Sequence, residues 1–112
     1  MEIAKATIQK VAVGIDIMNR LGADIEFVSD FGRFSHWFIS SDPKSALQLI
    51  TLMRYTGASS TCSLNNREIN LIFSDNSLLG FGNPIDDKYV PLFTEEFREI
   101  SMEEFMKLQH NL

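Results

Sequence analysis

Apolar positions recur at two different periods along this chain, and the alternation between them predicts its elements. In residues 3–21, Ala4, Ile8, Val11, Ile15, Met18 and Gly22 fall at a 4-3-4-3-4 spacing. That spacing keeps one helical face apolar, so an amphipathic helix is expected, with Gly22 just past its end. Two features pull the other way. Gly14 sits in the middle, and Thr7–Val13 is rich enough in β-branched residues to form a strand.

Period-two alternation takes over in Asp24–Ser29, where Ile25 and Phe27 share one side. Arg33–Ser40 carries Phe34, Trp37, Phe38 and Ile39. Ser29-Asp30-Phe31-Gly32 reads as the turn of a hairpin between them. Asp42-Pro43 then opens a helix over Pro43–Thr56. Asp42 is placed to cap it, Pro43 suits its first position, and Gly57 suits its end. Its expected buried face is Ala46, Leu47, Leu49, Ile50, Leu52 and Met53.

Ser59–Phe81 reads as a meander of three strands, Thr61–Leu64, Arg67–Phe73 and Leu78–Phe81, turning at Asn65-Asn66 and at Ser74–Ser77. Residues 82–93, with Pro84 and Pro91, read as loop. A last helix is expected at 102–110. Ser101 and Glu104 have capping-box spacing, and Ile100 and Phe105 form a hydrophobic staple. The resulting order is α-β-β-α-β-β-β-α. Strands arrive in hairpins, which predicts one α+β domain over residues 1–112: an antiparallel sheet in two layers with its helices.

Composition sharpens this picture. The 112 residues suffice for a core without metals or cross-links, and nearly half are apolar, too many for disorder. One cysteine, Cys62, cannot make an internal disulfide, which points to a reducing, cytoplasmic setting. The first residues begin with an acid and are interrupted by Lys5, Gln9, Lys10 and Asp16, unlike a signal peptide. No stretch has the length and apolarity of a membrane helix.

Charge is distributed unevenly. Residues 1–67 carry a net +1, and residues 68–112 carry −6. A net charge of −5 without a Lys/Arg cluster argues against nucleic acid and against an anionic membrane as direct partners. The segment Asn83–Leu112 interleaves seven acids with Tyr89, Phe93, Phe97 and Phe105. That mixture suits a surface meeting a basic protein, with carboxylates to steer it and rings to bury.

Residue types that carry catalysis are sparse. His36 and His110 are the histidines, and neither stands at metal-ligand spacing from the other or from Cys62. A Cys62–His36 nucleophilic pair lacks a third group to orient the imidazole. Gly80-Phe81-Gly82-Asn83-Pro84 is followed by Asp86-Asp87, which would repel a phosphate rather than cradle it. Asp75-Asn76-Ser77 lacks the rest of a calcium loop. No cofactor, metal or catalytic residue is therefore expected.

The expectation is a small acidic interaction module, of inhibitor, immunity or adaptor type, that occludes a larger basic protein. Its contact residues would be Asp86, Asp87, Tyr89, Phe93, Glu95, Glu96 and Glu99, together with Trp37, a residue type enriched at interface hot spots. The competing expectation is a ligand-binding or self-assembling α+β domain. Its pocket would draw on His36, Ser40, Arg54, Tyr55 and Asn70, or its contact on a sheet edge.

Overall fold

The chain opens with a strand, not a helix. A computed structural model describes residues 1–110. Its elements are β1 (Glu2–Ile15), β2 (Leu21–Ser29), β3 (Gly32–Ile39), α1 (Pro43–Thr56), a 3-10 turn (Cys62–Leu64), β4 (Glu68–Ser74), β5 (Ser77–Gly82), β6 (Tyr89–Pro91) and α2 (Met102–His110). The six strands form one antiparallel sheet in the order β3-β2-β1-β4-β5-β6.

The expected first helix is thus a correction, and its cause is a β-bulge. Ile8 pairs with Phe27 and Lys10 with Glu26, leaving Gln9 as an extra residue. Core-facing positions run Ala4, Ala6, Ile8 before the bulge and Val11, Val13, Ile15 after it. Two period-two runs offset by one residue contain the spacing 4-3-4, which imitates a helical stripe.

Two further expectations need correcting. Thr61–Leu64 is not a strand, because the hydroxyls of Ser60 and Ser63 bond the local backbone, and Leu64 N–H donates to the Thr61 carbonyl. The third strand of the meander comes instead from β6, inside the segment expected to be loop. β6 sits at the sheet edge, where Pro91 and its missing N–H are tolerated.

The helices do not share one layer. Along β4 and β5, successive side chains point to opposite faces. Leu71 and Phe81 join the main core with Ile8, Ile25, Phe27, Phe38 and Leu52 of α1. Ile72 joins a second cluster with Ile100 and Phe105 of α2. α1 and α2 therefore lie on opposite faces, and the two-layer expectation is replaced by a curled sheet with a helix on each side. The curl brings Phe31 and Phe34 within 5.7 and 5.0 Å of Phe73, ring centre to ring centre.

α1 begins and ends where expected. Asp42 accepts a hydrogen bond from Ser45 N–H at 3.3 Å, and Gly57 closes the helix in the left-handed region at φ 74°. Its orientation is the surprise. Ser45, Gln48, Thr51 and Leu52 are buried, whereas Leu47 and Ile50 are 45% and 54% exposed. Within this polar stripe Thr51 Oγ1 donates to the Leu47 carbonyl at 2.7 Å, one turn back, and residues 91–99 run alongside and bond the helix further. Gln48 Nε2 donates to the Pro91 carbonyl at 3.5 Å, and Lys44 Nζ to the Thr94 carbonyl at 3.0 Å. The Tyr55 hydroxyl donates to Glu99, whose carboxylate also lies 3.8 Å from Arg54. No helix among the described residues is long and apolar enough to cross a membrane.

Candidate functional site

The acidic segment leaves the sheet at Pro91 and passes the N-terminus of α1. Lys44 fixes it there through the Thr94 carbonyl. Thr94 Oγ1 donates to the Glu96 carbonyl at 2.7 Å, a tight local turn that leaves Glu95 and Glu96 exposed. Between this turn and the helix lies a groove of about 290 Å³, lined by Asp42, Pro43, Lys44, Leu47, Glu95, Glu96 and Phe97.

Its chemistry is two-sided. Pro43, Leu47 and Phe97 supply apolar surface, and Phe97 is anchored against the main core. Asp42, Glu95 and Glu96 supply three carboxylates against the single ammonium of Lys44. Among the described residues, Glu95 and Glu96 make no ion pair. The positive end of the α1 dipole helps hold acids at this corner. Such a groove can bury an apolar side chain and receive a cationic one beside it.

The residues expected to form one contact surface divide by role. Glu95 and Glu96 meet at the groove, and Asp86 is exposed in the preceding loop. Asp87 accepts from Met102 N–H at 3.1 Å and so caps α2. Tyr89 pairs with Ile100 and lays its ring over Gly82. Phe93 meets Phe105 edge-on at 5.6 Å. Glu99 ties down Tyr55, whose hydroxyl pKa is raised well above 10, with burial the larger cause and the hydrogen bond to Glu99 the next. Trp37 is half-buried, with its ring so close over Gly22 that a Cβ there would meet it at 2.6 Å, and its indole Nε1 has no hydrogen-bond partner among the described residues.

Asp42 and Pro43 were legible in sequence as a helix start and Leu47 as part of its buried face, none of them as a groove wall. Leu47 carried a signal nonetheless: it is apolar, and it lies off the face that the polar residues Ser45, Gln48 and Thr51 occupy.

The remaining candidates are placed elsewhere. His36 stands on the core-facing side of β3, edge-on to Phe38 at 4.7 Å. Burial, and secondarily the Lys44 charge, lower its pKa below 6.5, while Asp24 works weakly the other way. Cys62 is exposed on the 3-10 turn. Among the described residues, no group of three or more His, Cys, Asp or Glu is placed to hold a metal ion. Comparison with protein-family models and with curated proteins finds no match for the chain.

Proposed function

We propose that this protein is a small interaction module that occludes a larger, basic protein partner, seating an apolar side chain and a neighbouring Lys or Arg of that partner in the α1 groove. The observation that carries this reading is the groove itself. Apolar floor and unpaired carboxylates meet in one place, on a segment clamped by Lys44, Gln48 and Tyr55. Rigid clamping matters because ordering a loose acidic segment at binding would cost part of the contact energy. Four of the seven lining residues, Pro43, Leu47, Glu95 and Glu96, are exposed. A small molecule would remain wet on that open side, whereas a protein surface would cover it.

The test is affinity capture on immobilised wild type and on a Leu47→Asp/Glu95→Lys/Glu96→Lys variant. All three positions are exposed, so the fold should survive, and a thermal melt checks that it does. The expected result is one basic protein retained stoichiometrically by the wild type, released by salt, and lost with the variant. Equal retention by both proteins, or retention by neither, would overturn the proposal.

A further inference from the structure

The hairpin of β1 and β2 ends in an apolar overhang that α1 leaves uncovered. Val13, Ile15, Ile17, Met18 and Leu21 are between 53% and 104% exposed. Val13, Ile15 and Leu21 continue the core-facing side, since Val13 pairs with buried Ala23 and Ile15 with Leu21. The sheet's inner face therefore extends beyond the helix that covers it. Ile17 and Met18 form the tip. Just behind them opens a cleft of about 170 Å³, whose walls include Val13, Leu21, Ala23, Phe38 and Leu49.

The tip is held firmly. Asp16 Oδ1 accepts from the Met18 and Arg20 amides at 2.9 and 3.0 Å, and Arg20 Nε donates to Asp16 Oδ2 at 2.9 Å. Asn19 takes the left-handed conformation at φ 62°. Asp16 and Arg20 are the only charges in residues 11–22, and they neutralise each other.

We propose that this overhang is a self-association surface, with Ile17 and Met18 of one copy seated in the cleft of a second. The same patch carries both the projecting side chains and the recess. One two-fold contact therefore satisfies each of them twice, as an isologous interface requires. Charge selects the same occupant. Elsewhere a chain of net −5 repels its own copy, and the excess lies in residues 68–112. The overhang is neutral. Two copies can therefore meet there without the repulsion that opposes contact elsewhere.

Sedimentation equilibrium over micromolar to millimolar concentrations tests this, on wild type, Ile17→Asp and Met18→Asp. Both positions are solvent-exposed, so melting temperatures of the dilute proteins should agree. The expected result is a wild-type mass that rises from monomer to dimer and stops there, with both variants monomeric throughout. Glu95→Lys/Glu96→Lys should dimerise like wild type, which separates this contact from the α1 groove. A wild type that stays monomeric would overturn the inference, as would dimers that persist in the tip variants. Flotation with phosphatidylcholine vesicles provides another arm: binding as a monomer, lost in Ile17→Asp, would assign the overhang to lipid instead.

Discussion

His36 and Tyr55 show how single side chains tie stability to pH in opposite directions. The folded state holds the His36 pKa below 6.5, because burial and the nearby Lys44 disfavour its charge. The unfolded chain therefore binds the extra proton first as pH falls. Stability contributed at neutral pH is lost below 6.5. Chemical denaturation should show the wild type losing stability as pH falls below 6.5, and His36→Gln losing less. Tyr55 works at the other end. Its hydroxyl titrates well above 10 in the folded protein, held there by burial and by Glu99. Its contribution is complete below pH 10 and declines as pH rises past that point, where the unfolded chain releases its proton. Tyr55→Phe should cost about 1 kcal/mol at neutral pH, and its gap to wild type should narrow above pH 10.

At the scale of elements, β1 depends on its register. Gln9 takes the bulge; were it paired regularly instead, Val11, Val13 and Ile15 would turn to the opposite face while Lys10 turned inward. Deleting Gln9 should leave Val11, Val13 and Ile15 core-facing opposite the same β2 residues and preserve cooperative unfolding, whereas inserting an alanine between Lys10 and Val11 should turn them outward and lower the urea midpoint sharply. The same bulge explains why this strand was illegible. Periodicity identifies an element only when the period is unbroken, and an inserted residue changes two into an apparent three and a half. α1, by contrast, was legible to the residue, because Asp42, Pro43 and Gly57 act through local backbone geometry. α2 was legible for the same reason. Ser101 Oγ accepts from Glu104 N–H at 3.3 Å, and Ile100 and Phe105 share a cluster. Among the described residues, Glu104 does not complete the box; Asp87 supplies the second cap from a distant loop. Ser101→Ala and Asp87→Ala should each lower stability by about 1 kcal/mol in urea denaturation.

At the scale of the whole molecule, charge was legible and its placement was not. The sequence shows seven acids and their rings in one segment, but chain order cannot separate those that cap, clamp or face solvent. Asp87 and Glu99 take structural roles because Met102 and Tyr55 lie in elements brought near by the fold. Glu95 and Glu96 stay exposed and, among the described residues, outside any ion pair, so on the proposed function they are the acids that steer. With the retained partner in hand, Glu95→Lys/Glu96→Lys should slow association several-fold at low salt and little at high salt in stopped-flow measurements. An equal effect at both would mean that these carboxylates act by contact alone.

The clamp on α1 has a temporal meaning as well. Its polar bonds join residues 50, 43 and 44 positions apart: Lys44 to Thr94, Gln48 to Pro91, Tyr55 to Glu99. Contacts that far apart close late, since loop entropy is lost before they form. During synthesis, β1 to β3 can pair as soon as they emerge, but Gln48 has no partner until Pro91 follows. Until then α1 presents either a polar stripe to an apolar sheet or the apolar side chains Leu47 and Ile50. The nascent chain thus passes through a stage in which its hairpins exist and its core does not, and the acidic segment that closes the core also brings the charge that keeps such a species apart from its copies.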